Sequence, residues 1–176
     1  MTAHVFVDET KRYGYVLVAA ALAGGDLEPL RKTLRAMVLP GQRRLHMNDE
    51  SDPRRKSIAA AIVDNPLSAV VYDAGRRHRN ERERRAACLR ALVVDAAARR
   101  DELIVIERDR SLIRFDDQVL IEATRAAGCR ETLRWQHDSA AAELLLVVPD
   151  AIAWCWAKGG DWRRRVEPVV EAVREV

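Results

Sequence analysis

The stretch His4-Val-Phe-Val-Asp-Glu-Thr10, with the segment Tyr13–Leu22 after it, decides the fold. The first stretch opens with a short apolar run and the second is rich in Val, Ala and Tyr, so each predicts a β-strand. Only Lys11 and Arg12 separate them, which leaves no room for a crossover connection. The sequence therefore predicts that the chain begins with an antiparallel hairpin.

Beyond the hairpin, apolar runs alternate with helical patterns. Further strands are predicted at Ser68–Tyr72, Leu103–Ile106 and Thr132–Gln136. Helices are predicted at Leu27–Val38 (capped by Asp26), Asp52–Val63, Asn80–Arg100, Asp116–Ala127 (capped by Asp116), Asp150–Ala157 and Trp162–Val173 (capped by Asp161). The unbroken apolar run of the fourth strand favours a buried parallel strand. This order predicts an α/β fold, a mixed sheet with helices on its faces.

Size and composition favour one ordinary domain, residues 1–176, without linker or repeat. Apolar residues make up 48% of the chain, enough for a core, and the net charge of +3 permits an anionic partner without requiring one. No apolar run reaches about 18 residues, and the start does not resemble a secretion signal. We therefore expect a cytoplasmic protein that does not enter the membrane, with Cys88, Cys129 and Cys155 as reduced core thiols.

Acidic residues stand at predicted strand and helix ends, where side chains can converge above a sheet. Asp8 and Glu9 end the first strand, Glu107 and Asp109 follow the fourth, and Asp150 starts a late helix. Converging carboxylates repel one another unless a cation lies between them, and oxygen-only ligands suit Mg²⁺ or Mn²⁺. Two such ions can activate a water and stabilise a leaving oxygen in phosphodiester cleavage. Taken singly, each acid is also explained as a strand end, a turn or a helix cap.

Four stretches together resemble one known family: His4–Thr10, Arg43–Ser51, Ile104–Asp109 and Val148–Trp154. In them the chain resembles the bacterial ribonuclease-H-like domain-of-unknown-function family DUF3800. Chains of that family begin with a short apolar strand ending in Asp-Glu-Ser or Asp-Glu-Thr. The resemblance spans nearly the whole chain and implies a ribonuclease-H-like fold.

The resemblance also implies which acids bind metal. They are Asp8, Asp150 and either Glu107 or Asp109, with Mg²⁺ or Mn²⁺ as the ion. The resemblance leaves the choice between Glu107 and Asp109 open. We favour Glu107 as the metal ligand because it is nearer the apolar strand and therefore more firmly placed.

The polar loop before the second helix offers auxiliary site residues. His46 could move protons, and Asp49 or Glu50 could add an acid, as Glu9 could beside Asp8. The plainer interpretation of His46 is an exposed loop histidine bonded to backbone. For Asp49 and Glu50 it is a solvated cap of the next helix.

Arginines could hold a nucleic-acid backbone, since the guanidinium group matches phosphate. The candidates are Arg43, Arg44, Arg163 and Arg164. Trp154 lies four residues after Asp150, on the same helix face, and aromatics beside arginines can stack bases. Core packing and solvated helix faces are the alternative interpretations.

Three functions remain open from the sequence. The first is a metal-dependent nuclease acting on RNA, DNA or their hybrid. The second is a non-catalytic nucleic-acid-binding or protein-interaction module on the same fold, with a homodimer as one form. The third is a metal-dependent phosphatase or nucleotide hydrolase. The discriminating observation is whether Asp8, Asp150 and one of Glu107 or Asp109 share one site.

Overall fold

The computed structural model of the protein describes residues 2–176. In chain order its strands and helices are β1 (Ala3–Thr10), β2 (Tyr15–Ala23), α1 (Gly24–Met37), α2 (Asp52–Val63), β3 (Ser68–Gly75), α3 (Glu81–Arg99), β4 (Leu103–Glu107), α4 (Ile113–Ala126), β5 (Arg134–Asp138), α5 (Val147–Lys158), α6 (Gly160–Val166) and β6 (Val170–Glu175). Short 3-10 turns occupy Met47–Asp49, Leu144–Leu146 and Glu167–Val169.

The six strands form one mixed sheet in the order β5-β4-β1-β2-β3-β6. β1 and β2 pair antiparallel, as the short link between them predicts, and β2 pairs antiparallel with β3. β4 is parallel to both β1 and β5, and β6 is parallel to β3. The predicted mixed sheet, its hairpin and its buried parallel β4 are confirmed.

Helices cover both faces of the sheet. Phe6, Val18 and Val105 face the core shared with α1, α2, α5 and α6. Val7 and Ile106 face the core shared with α3 and α4. Successive side chains of a strand point to opposite faces, so the residues just beyond the apolar part of β1 diverge between these two layers.

The predicted caps of three helices are wrong. Asp26, Asp116 and Asp161 lie inside the first turns of α1, α4 and α6, whose N-cap residues are Ala23, Leu112 and Gly159. None of these three N-cap residues makes a side-chain capping bond. By contrast, the predicted cap of α3 is confirmed, because the Asn80 side chain accepts a hydrogen bond from the Glu83 backbone N–H.

The predicted helix Trp162–Val173 is wrong in its second half. α6 ends at Val166, a 3-10 turn containing Pro168 follows, and β6 then pairs with β3. Proline cannot donate the helical hydrogen bond and disfavours helix in the residue before it. β3 also runs to Gly75, past its predicted end.

Two expectations concern the cysteines and the membrane. Cys88, Cys129 and Cys155 are free and buried, as expected. Within residues 2–176, no helix has the length and apolar character needed to cross a membrane.

Candidate active site

A cleft of about 360 Å³ opens at the carboxyl ends of β1 and β4. The hairpin turn, the loop before α2 and one face of α5 form its walls. Four of the predicted acids line it, namely Asp8, Glu9, Glu107 and Asp150, together with His46 and Trp154. The cleft therefore joins segments that are distant in sequence.

Strand register brings Asp8 and Glu107 together. Val7 pairs with Ile106, so the next residues, Asp8 within β1 and Glu107 at the end of β4, lie at the same level of the sheet. Both point to the face covered by α5, because Phe6 and Val105 also pack there. Asp150 lies in the first turn of α5 and completes the acidic wall.

Asp8 is the most buried of these acids, with 8% of its surface exposed. Its Oδ1 accepts a hydrogen bond of 2.7 Å from the Glu9 backbone N–H. Burial, together with the negative charges of Glu107 and Asp150, raises the pKa of Asp8 well above its usual value. A nearby positive charge would therefore stabilise the ionised form of this site.

Asp150 is held by the loop before α2. The Met47 backbone N–H donates to Asp150 Oδ2 at 2.8 Å, and His46 Nε2 lies 3.7 Å from Asp150 Oδ1. Burial raises the pKa of Asp150 to about 6, although His46 and the Met47 N–H partly oppose that rise. These contacts fix both the carboxylate and the imidazole in the cleft.

Glu107 is the more open acid and has a basic neighbour. Arg44 Nη1 lies 3.8 Å from Glu107 Oε1, and Arg44 is exposed at the rim of the cleft. The negative charge of Glu107 is one cause of the raised pKa of Asp8, after burial. Arg44 is the one predicted arginine that pairs with a cleft acid among residues 2–176.

Asp109 lies outside the cleft, on the other side of the sheet. Its Oδ1 accepts hydrogen bonds from the Ser111 backbone N–H at 2.9 Å and from Ser111 Oγ at 2.7 Å. These bonds lower the pKa of Asp109. It borders a separate cavity with Arg85 and Tyr15. Of the two alternatives that the sequence left open, the structure brings Glu107 into the cleft.

The auxiliary acids are placed differently. Glu9 borders the cleft, but its carboxylate reaches across to Arg85 at 2.6 Å. Glu50 is buried against Arg54 and Gln42, and it does not line the cleft. Asp49 is exposed and likewise lies outside the lining.

The remaining predicted arginines lie away from the cleft lining. Arg43 is exposed. Arg163 stacks on Trp156, with the guanidinium carbon 4.5 Å from the ring centroid, and donates to the Trp156 carbonyl. Arg164 forms a close ion pair with Asp161.

Three basic residues were missed from the sequence. Lys11 and Arg12, in the hairpin turn, line the cleft. Their position immediately after the acidic strand end was the available signal. Arg85 is fully buried on the apolar face of α3, three and four residues before Cys88 and Leu89. A charged residue on the same helix face as apolar residues was the available signal for a buried ion pair.

The acids face one cavity without forming a ready ligand set. Within residues 2–176, no group of three or more His, Cys, Asp or Glu side chains is arranged to hold a metal ion.

Comparison with known proteins establishes the fold. No family model matches the chain, and no curated protein matches it in sequence. Its structure is similar to that of ribonuclease HII in the PCNA:RNase HII complex from Archaeoglobus fulgidus, with a TM-score of 0.59, 16% identity, and coverage of 89% of this chain and 73% of that chain. This chain has a ribonuclease-H-like fold.

At 16% identity that likeness carries the fold alone. Ribonuclease HII is a different family from DUF3800, and the resemblance to DUF3800 stays a prediction.

Proposed function

We propose that the chain is a divalent-metal-dependent nuclease that hydrolyses phosphodiester bonds of RNA or DNA. One observation carries the proposal: Asp8, Glu107 and Asp150, from three separate segments, face one cleft of a ribonuclease-H-like fold. Carboxylates gathered in this way repel one another, and a cation relieves the repulsion. Burial raises the pKa of Asp8 most, and the negative charges of Glu107 and Asp150 raise it further.

The donor chemistry of the three acids fits Mg²⁺ or Mn²⁺. All donors are carboxylate oxygens, which hard divalent cations prefer. Asp8 and Glu107 on adjacent strands, with Asp150 oriented by the Met47 N–H, would hold the ion.

A bound divalent ion supplies an activated water and stabilises the leaving oxygen. The chain itself supplies position and charge. His46, beside Asp150 on the cleft wall, is placed to give a proton to the leaving oxygen or to take one from water. Lys11, Arg12 and Arg44 supply positive charge for the phosphates around the scissile bond.

A non-catalytic nucleic-acid-binding module is the second candidate function. It is favoured by the finding that, within residues 2–176, the acids do not form a ready metal-binding group. In that case Asp8 and Glu107 are strand ends and Asp150 orients the Met47 loop. The basic residues of the cleft would then bind a backbone that is never cut.

Cleavage of labelled nucleic acid tests the proposal. Single strands, duplexes and RNA–DNA hybrids are incubated with Mn²⁺ and wild-type protein, Asp8→Asn or Asp150→Asn. Each substitution keeps side-chain size and removes a metal-binding charge, so we expect the rate to fall at least about 100-fold. Asp109→Asn is the matched control, because Asp109 lies outside the cleft, and its rate should equal that of wild type.

The outcomes separate the two candidates. Cleavage at full rate by both cleft variants would mean a contaminating enzyme or another site. Binding without cleavage of any substrate would favour the non-catalytic module.

A further inference from the structure

Trp154 is a large aromatic residue on the wall of an otherwise polar cleft. It lies four residues after Asp150 on α5, and both residues line the cavity. The side chain is partly exposed rather than sealed in the core. An exposed aromatic surface beside acidic and basic groups suits a ligand that has both a flat apolar face and charge.

The ring is held firmly from several directions. The Trp162 ring lies 5.0 Å away at 88°, an edge-to-face contact. The Arg55 guanidinium carbon is 4.6 Å from the Trp154 ring centroid. Arg55 itself donates to the Met47 carbonyl at 2.7 Å and to Asn48, so it ties the ring to the His46 loop. A fixed ring loses little freedom when it stacks on a ligand.

Positive charge lies close to the Trp154 ring. The Lys158 ammonium lies 5.9 Å from the Trp154 ring centroid, and Lys158 is exposed. Trp156 and Trp162 differ from Trp154, because neither of them lines the cleft. Trp154 alone combines an aromatic face, the acids and exposed positive charge among residues 2–176.

We propose that Trp154 stacks on an unpaired base of the bound strand, so that the cleft selects single-stranded over duplex nucleic acid. This inference rests on the proposed nucleic-acid function. Base–aromatic stacking requires a free face of the base, which an unpaired nucleotide offers and a base inside a duplex does not. Lys158 and the cleft arginines then lie near the phosphates on either side of the stacked nucleotide.

Fluorescence anisotropy with a labelled oligonucleotide tests this proposal. The strand is offered alone and annealed to its complement, as DNA and as RNA, with Ca²⁺ in place of Mg²⁺ to limit cleavage. Wild type is compared with Trp154→Ala and Trp154→Phe, and with Trp156→Ala as the matched control. Melting curves establish that each variant is folded.

We expect Trp154→Ala to weaken single-strand binding by about tenfold or more, with little change for the duplex. Trp154→Phe keeps a stacking ring and should retain most of the affinity, and Trp156→Ala should bind as wild type does. A strand with one abasic position, scanned along its length, should bind wild type less well at one position. Trp154→Ala should be insensitive to that change.

The experiment distinguishes failure of the stacking role from failure of the proposed nuclease function. Unchanged single-strand affinity in Trp154→Ala, or equal losses for single strand and duplex, overturns the stacking role and leaves the nuclease proposal standing. If wild type binds no nucleic acid of any kind, the proposed function falls and the stacking role falls with it. If Trp154→Ala alone is unfolded, the abasic scan is repeated with wild type and Trp154→Phe. One sensitive position in both proteins supports the stacking role, and no sensitive position overturns it.

Discussion

Asp8 and Glu107 lie at the same level on the neighbouring parallel strands β1 and β4, since Val7 is in register with Ile106. Their side chains point to the face covered by α5. Burial and the negative charge of Glu107 raise the pKa of Asp8, so a cation between the two carboxyl groups would relieve their repulsion. The metal dependence of the protein should originate at this pair.

Added Mn²⁺ should raise the melting temperature of the wild-type protein and leave Asp8→Asn nearly unchanged. A ligand that binds only the native state stabilises it, and at about a hundredfold excess over Kd the expected rise is roughly 5–10 °C. Thermal scans with and without Mn²⁺ measure this rise, with Asp109→Asn as the control that should respond like wild type. Equal shifts in wild type and Asp8→Asn would place the ion elsewhere.

The metal-free protein should lose stability as pH rises from about 4 to about 7. The pKa of Asp150 is raised from 3.8 to about 6, chiefly by burial. Between those values Asp150 keeps its proton in the folded state and has lost it in the unfolded state. Its contribution to the free energy of unfolding is therefore full below about pH 4 and is lost as the pH rises through about 6. The loss assigned to Asp150 is of the order of 2–3 kcal/mol.

Urea unfolding at a series of pH values measures that loss. Asp150→Asn cannot titrate at this position, so the dependence of its unfolding free energy on pH should be flatter. Mn²⁺ should offset the loss more strongly at higher pH, because it binds the ionised carboxylates. Equal pH dependence of the unfolding free energy in wild type and Asp150→Asn over this range would contradict the raised pKa of Asp150.

Local patterns predicted much of the fold. The short link after β1 fixed the hairpin, and the apolar run of β4 fixed a buried parallel strand. The secondary structure of the last residues depends on a strand that is distant in sequence, because β6 forms by pairing with β3. The local sequence of Val170–Glu175 does not reveal that pairing, so the predicted helix was extended to Val173.

The candidate site was predictable in its acids and less so in their surroundings. Strand ends pointed to Asp8 and Glu107, but only the register and the end of β4 separate Glu107 from Asp109. The placement of Arg85 depends on α3 packing on the sheet, which no local pattern fixes. By contrast, the basic residues of the hairpin turn could be predicted to lie near the site, because they directly follow the acidic residues of the first strand.

Arg85→Met should destabilise the fold by about 3–5 kcal/mol. Arg85 donates to both carboxylate oxygens of Asp116, at 2.6 and 2.8 Å, and the two side chains are 2% and 1% exposed. Removing the guanidinium group leaves the buried Asp116 carboxylate with only the His137 imidazole, 3.3 Å away. It also removes the partner of Glu9, the residue next to Asp8.

Urea unfolding compares this variant with Arg82→Met on the same helix. Arg82 is exposed, so its loss should cost less than about 0.5 kcal/mol. Asp116→Leu in the Arg85→Met background should recover part of the loss, because it removes the stranded charge. Equal effects of Arg85→Met and Arg82→Met would show that the buried pair contributes nothing to stability.

Arg44→Ala should weaken nucleic-acid binding and reduce its salt dependence more than Arg164→Ala does. Arg44 is exposed, and its ion-pair partner Glu107 would be drawn to a bound cation. Arg164 is already paired with Asp161 and lies outside the cleft lining. For each phosphate that the protein no longer neutralises, the slope of log affinity against log salt should become shallower by about 0.7–0.9.

Anisotropy titrations at several salt concentrations give that slope for wild type and both variants. Removing Arg44 should cost affinity for all sequences alike, since phosphate contacts carry no base information. The two substitutions remove the same charge, so a difference between them reports position rather than net charge. If Arg164→Ala flattens the slope and Arg44→Ala does not, the strand crosses α6 instead of the cleft, and the acids at Asp8 and Glu107 are not where the backbone is cut.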